Sequence, residues 1–145
     1  MGIATPLAGL KVVAIEQAVA APFATCRLAD AGAEVIKIER PEGDFARGYD
    51  AVAAGQSSYF VWLNRGKVSV ALDLNTETGK SRLWELIAEA DVVVQNLRHG
   101  ALDRLGFSLS ELRRENPALI TCSITGFNPF GALSARKAYD LLIQA

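Results

Sequence analysis

The stretch LKVVAIEQAVAAPFATCRLADAGAEVIKIE, residues 10–39, decides the fold. Its opening LKVVAI (10–15) is a short, mostly apolar and β-branched run, the pattern of a buried strand. The turn EQAVAA follows, then Pro22 opens a helix and Gly32 closes it. Proline suits the first turn, whose N–H groups have no intrahelical partner, and glycine readily takes the left-handed conformation that ends a helix. AEVIKIE (33–39) reads as a second strand. Strand, helix and strand in so short a span form a β-α-β crossover, which sets its two strands parallel.

Working outward, RPEGDFARGYDAVAAGQ (40–56) is loose, with mixed charge, Pro and Gly. It is too long for an idle connection, and long ordered loops often carry function. KVSVALDL (67–74) alternates apolar and polar residues and predicts a third strand. Thr76 is placed to cap a helix over 77–90, with Glu77 in its first turn and Leu83, Trp84, Ile87 and Ala90 facing inward. DVVVQ (91–95) predicts a fourth strand, buried on both faces. Short helices near 101–105 and 109–116 lead through Pro117 into ALITCSIT (118–125), the fifth strand. Strands alternating with helices argue for an open, doubly wound α/β sheet. The final KAYDLLIQA (137–145) spaces Tyr139, Leu142 and Ile143 as the opening of an amphipathic helix.

Composition narrows the class. A chain of 145 residues is long enough for one domain with its own core. With 50% apolar and 21% charged residues it is an ordinary globular sequence rather than a disordered one. A net charge of -1 gives no reason to expect a nucleic-acid or membrane surface. Apolar runs are strand-length, too short to span a bilayer, and MGIATPLAGL lacks the basic region of a signal peptide. Cys26 and Cys122 lie far apart, form no C-x-x-C, and read as two buried thiols of a reducing compartment. These features together predict a soluble, cytoplasmic protein.

Several motifs fail on inspection. ETGKS (77–81) has the end of a phosphate-binding loop, but position 74 is Leu where that loop needs Gly, and Gly79 falls inside the predicted helix. The turn after the first strand has no Gly, which disfavours a dinucleotide fingerprint. Its small residues Ala18, Ala20 and Ala21 still let backbone approach a ligand at a helix N-terminus. A single histidine, His99, leaves a Ser-His-Asp triad or a multi-histidine metal site no slack, and the thiol or imidazole clusters that zinc needs are absent. Carboxylate chemistry and phosphate recognition remain. Ligands of open α/β sheets bind beyond the carboxyl ends of the strands, here Glu16 to Ala20, Arg40, Asp73 to Asn75, Asn96 to Arg98, and Thr125 to Phe127. Arg40 and Arg98, with Arg104 nearby, suit a phosphorylated ligand.

Four segments carry a resemblance: 6–44, SYFVWLNRGKVSVALDLNTETG (58–79), ADVVVQNLRHGALDRLGFS (90–108) and NPALITCSITGFNPFG (116–131). In order and spacing they resemble the class III coenzyme A-transferases, the formyl-CoA and carnitine-CoA transferase-like family that also includes α-methylacyl-CoA racemases. The resemblance implies a Rossmann-like open parallel sheet, and makes residues 1–145 the N-terminal, coenzyme-binding part of a large domain. It also implies an interlocked homodimer. Coenzyme A, as substrate rather than resident cofactor, would lie against Ala18, Val19 and Ala20. Its ADP and 3′-phosphate portion would meet Arg40, Leu72, Asn75, Asn96, Leu97, Arg98 and Arg104. Asn75 stands where some members have Lys, and Val19 where some have a glutamine that meets the substrate.

Family chemistry transfers coenzyme A from an acyl-CoA to a small carboxylic acid through an aspartyl-CoA thioester. By position that nucleophilic aspartate would lie beyond residue 145. Asp140 is expected in a supporting role, and Tyr139 and Tyr59 in the acyl pocket. Racemases carry a basic His at the position of Tyr139, and a phenol with an ordinary pKa near 10 is a poor base at neutral pH, which favours transferase over racemase. The resemblance leans towards members that pair succinyl-CoA with a dicarboxylate acceptor. The alternatives are a racemase-like enzyme and a non-catalytic coenzyme A-binding module. No metal is implied.

Overall fold

The computed structural model describes residues 5–134 and 136–139. Five parallel strands form one sheet in the order β3-β2-β1-β4-β5. They are β1 Lys11–Ile15, β2 Glu34–Glu39, β3 Lys67–Ala71, β4 Val92–Gln95 and β5 Ile120–Ser123. The helices are α1 Ala20–Asp30, α2 Ser58–Asn64, α3 Glu77–Ala88, α4 Ala101–Arg104 and α5 Leu109–Glu115, with a 3-10 turn at Phe45–Gly48.

The central strand β1 is apolar after its exposed first residue, Lys11. Successive side chains of β1 point to opposite faces, and both faces are covered. Val12 and Ala14 pack with Ala21, Val35, Val92 and Val94 on the side where Leu28 and Ala29 of α1 lie. Val13 and Ile15 pack on the other side with Leu83 and Ile87 of α3, Leu102 of α4, Phe107 from the connection between α4 and α5, and Leu112 of α5. Of the four expected inner residues, Leu83, Ile87 and Ala90 are buried there, and the fourth, Trp84, is partly buried and packs against Phe107 with ring centroids 5.2 Å apart. The edge strands are less covered: Val68 of β3 is 63% exposed and Ile120 of β5 60%.

Helix ends follow local chemistry. The α1 helix starts at Ala20, so Pro22 stands within its first turn rather than opening it. At its far end the Ala33 N–H reaches the Leu28 carbonyl at 3.0 Å and the Gly32 N–H the Ala29 carbonyl at 2.9 Å. With Gly32 at φ +99° this is the paired closure that a left-handed residue permits. Thr76 caps α3, its hydroxyl accepting from the Gly79 N–H at 3.1 Å.

Differences from the sequence reading are confined to short elements. The α2 helix was not expected; Ser57 caps it by accepting from the Phe60 N–H, and Leu63 anchors it in the interior. The strands predicted over 67–74 and 118–125 are shorter, and the loose segment holds the 3-10 turn. Cys26 is buried as expected, but Cys122 is exposed, because β5 is an edge strand with one uncovered face. The helix expected from 137 onward falls largely outside the described residues, and Tyr139 itself is not helical.

Candidate functional site

The chain runs β1 to β2 to β3 on one side of β1, then crosses to β4 and β5 on the other. The loops leaving β1 and β4 therefore diverge, and such a switch point opens a crevice at the carboxyl edge of the sheet. A cleft of about 310 Å³ lies there. Residues 15–17 at and after the end of β1, 38–44 at and after the end of β2, 72–75 after β3, Leu97 after β4 and Leu105 after α4 line it.

This cleft gathers four of the expected coenzyme residues, Arg40, Leu72, Asn75 and Leu97. Arg40 is exposed and its Nε donates to the Gly43 carbonyl at 3.4 Å. The Asn75 side chain donates to Asp73 Oδ1 at 3.0 Å, so Asp73 orients it at the rim. Asn96 is engaged with the neighbouring turn: its Oδ1 accepts from the Gln17 N–H at 2.9 Å and its Nδ2 donates to the Gln17 carbonyl at 2.8 Å. Arg98 lines a second, smaller pocket of about 240 Å³ with His99, Ser123 and Thr125. Arg104 is exposed at the end of α4.

The turn between β1 and α1 carries Ala18, Val19 and Ala20. Ala18 sits at φ +63°, left-handed despite its Cβ. Its N–H donates to both oxygens of Asp44, at 3.1 and 3.2 Å. Val19 is half-buried as the residue preceding α1, and Ala20, the first helical residue, is exposed.

Beneath this turn lies a group of buried charges that sequence reasoning did not single out. Lys37 on β2 donates to Asp44 Oδ2 at 2.9 Å and stands 3.6 Å from Glu16 Oε1. Lys67 on β3 donates to the same Glu16 oxygen at 2.7 Å, to the Pro22 carbonyl at 2.9 Å and to Asn64 Oδ1 at 3.1 Å. Thr25 of α1 donates to Glu16 Oε2 at 2.7 Å. The side chains of Lys37, Asp44 and Glu16 have no exposed surface, and Lys67 has almost none. Two cations and two anions thus balance, as burial of charge requires. Burial pushes the Lys67 ammonium pKa down, and the Glu16 carboxylate opposes that shift. The available signal was Lys37 itself, a lysine between Ile36 and Ile38 in the second predicted strand, since a lysine buried there needs an acidic partner.

A second knot secures the segment after β2. Burial alone would raise the Glu39 pKa, but hydrogen bonds from Arg47, Ser69 and the Asp44 N–H outweigh it and hold the carboxyl at about 2. Arg47 grips Glu39 at 2.9 and 2.7 Å and stacks 3.8 Å from the Phe60 ring centroid. From there an aromatic row runs Phe45, Tyr49, Tyr59, Trp62, Phe23, with successive centroids 5.8, 6.0, 6.2 and 6.0 Å apart. Tyr59 is therefore half-exposed in this row. Tyr139, also exposed, is close enough to Tyr49 to help raise its pKa, after burial and Asp44. Asp140 lies outside the described residues. Among the described residues no His, Cys, Asp and Glu side chains group as metal ligands, and no helix is long and apolar enough to cross a membrane.

An open parallel sheet with a cleft at its switch point defines the class, a doubly wound α/β protein, and in such proteins the carboxyl edge is where ligands bind. The sequence profile of CoA-transferase family III matches residues 7–145, and the chain belongs to that family. It is 43% identical over 141 residues to the acetyl-CoA:oxalate CoA-transferase of Acetobacter aceti, covering 97% of this chain and 36% of that protein. It is 39% identical over 142 residues to the succinyl-CoA:glutarate CoA-transferase of Homo sapiens, covering 97% and 32%. In structure it is similar to a CAIB/BAIF family protein from Brucella suis, with a TM-score of 0.90 and 44% identity over 98% of this chain and 39% of that one. The chain spans about a third of the length of the curated relatives it matches.

Proposed function

We propose that the protein transfers coenzyme A from an acyl-CoA to a small carboxylic acid, with residues 1–145 supplying the N-terminal part of the coenzyme-binding domain. The observation that carries this reading is the family match along 7–145, whose relatives are named as CoA-transferases acting on oxalate and on glutarate. The cleft supports it. Arg40 places a cation where a phosphate would lie, Asn75 offers an amide, and Leu72 and Leu97 offer apolar walls for an adenine ring. Arg98 and Arg104 extend the cationic side towards the 3′-phosphate. Ala18, Val19 and Ala20 let the pantetheine arm pass close to backbone, and Tyr59 and Tyr139 face the acyl group.

The chemistry proposed is nucleophilic catalysis. An aspartate beyond residue 145 attacks the donor thioester, which expels the coenzyme A thiolate and leaves a mixed anhydride. The thiolate attacks the aspartyl carbonyl, releasing the donor carboxylate and forming an aspartyl-CoA thioester. The acceptor carboxylate attacks that thioester in turn, and the thiolate it expels takes the acceptor acyl group from the second anhydride, which restores the aspartate. Asp140 supports that site. The protein works as an interlocked homodimer in the cytoplasm, with a dicarboxylic acceptor and succinyl-CoA as the donor of first choice.

The test uses the full-length protein with succinyl-CoA and a panel of small carboxylates. Formation of a new acyl-CoA, with no solvent deuterium entering the α-carbon of a 2-methylacyl-CoA, is the expected result. Deuterium exchange without transfer would make the protein a racemase. Tight coenzyme A binding with neither activity would make it a binding module.

A further inference from the structure

The left-handed turn at Ala18 raises a question of its own. A residue with a Cβ is disfavoured there, by roughly tenfold or more in an equilibrium, and no glycine relieves it. Something must hold the turn, and two clamps do. Asn96 pairs with both the N–H and the carbonyl of Gln17. Asp44, twenty-six residues along the chain, takes the Ala18 N–H on both of its oxygens.

Asp44 is itself fully tied down. Its N–H donates to Glu39 Oε2 at 2.7 Å, and its Oδ1 accepts from the Ala46 N–H at 3.0 Å. Its Oδ2 accepts from Lys37 at 2.9 Å. Lys37 has further oxygens in reach, the Glu16 carbonyl at 3.4 Å and the Glu16 carboxylate at 3.6 Å. Neutralising Lys37 therefore does not exhaust the role of Asp44. The Ala18 N–H lies on the loop that borders the cleft, between Gln17, which lines it, and the start of α1.

We propose that Asp44 is a positioning residue for coenzyme A: it holds Ala18 in the left-handed turn, and so places the backbone of residues 18–20 against the ligand. The proposal rests on the coenzyme A reading given above. It works through geometry, since the Asp44 side chain has no exposed surface and its oxygens are taken by the Ala18 and Ala46 N–H groups and by Lys37.

An amide at this position accepts through one oxygen only and turns an NH2 towards one of the three donors, Ala18 N–H, Ala46 N–H or Lys37. Asp44→Asn in the full-length protein is therefore expected to weaken coenzyme A binding roughly tenfold by calorimetric titration. The decisive measurement repeats the substitution in an Ala18→Gly background. Glycine takes positive φ without the Cβ penalty, so the loss there should shrink to roughly two- to threefold. A role limited to balancing Lys37 would cost the same in both backgrounds, and that result overturns the proposal while leaving the function intact. A wild-type protein that binds no coenzyme A overturns both. Should Asp44→Asn fail to fold, Asp44→Glu keeps the charge beside Lys37 while displacing the oxygens, and the same background dependence is expected.

Discussion

At Gly79 a Cβ would collide with the carbonyl oxygen of Asp73, which the start of α3 folds back upon. The residue that mimics part of a phosphate loop in ETGKS is thus glycine for a packing reason, and its N–H is spent on the Thr76 cap. Helix propensity alone would favour alanine by about 1 kcal/mol. The collision is with backbone, which yields less easily than a side chain, so overpacking wins. Gly79→Ala should destabilise by about 1–3 kcal/mol, read as a lower urea midpoint at unchanged slope. A raised midpoint would show that the loop before α3 yields freely.

Among the elements, the segment after β2 has the clearest electrostatic anchor. Glu39, the last residue of β2, holds Arg47 of the 3-10 turn, Ser69 of β3 and the Asp44 N–H. Its pKa is about 2 against an ordinary value of 4.5. A depressed folded-state pKa adds stability that is complete above the unfolded value and is lost as pH falls towards the folded one. The stability advantage of the wild type over Glu39→Gln should therefore be full at pH 6 and shrink between about pH 4.5 and 2. Urea unfolding of both proteins at pH 6 and pH 3 checks this; an advantage that stays constant would remove Glu39 as the acid-sensitive tie.

For the whole molecule, cleft and sheet are one structure, because every lining loop leaves the carboxyl end of a strand or neighbours one. A ligand bound there should stabilise the entire domain. Coenzyme A at a hundred times its Kd should add about 2.7 kcal/mol to the unfolding free energy of the full-length protein. Arg104→Ala should shift the concentration needed for that gain upward, with little effect on Tm in the absence of ligand. Scanning calorimetry across a coenzyme A series decides it, and a Tm that coenzyme A does not move would count against the cleft as its site.

The order of strands and helices, the Gly32 closure of α1, the Thr76 cap and the inner face of α3 were legible in the sequence. Each depends on residues a few positions apart, where hydrophobic period and capping chemistry act. The strand ends named as ligand-facing also include Arg40, Asn75 and the residues around Gln17 that now line one cleft. The α2 helix was missed because its exposed Tyr59, Val61 and Trp62 mask any apolar stripe, and one cap and one buried leucine hold it. The partners of the buried lysines were beyond reach for a different reason. Lys67 meets Glu16 across 51 positions, and Asp44 meets Ala18 across 26. The sequence alone thus determined a doubly wound α/β sheet with a burial pattern to match. Only the tertiary structure decided which acid neutralises which lysine and which carboxylate holds the left-handed turn, because ion pairing follows distance in space and not distance along the chain.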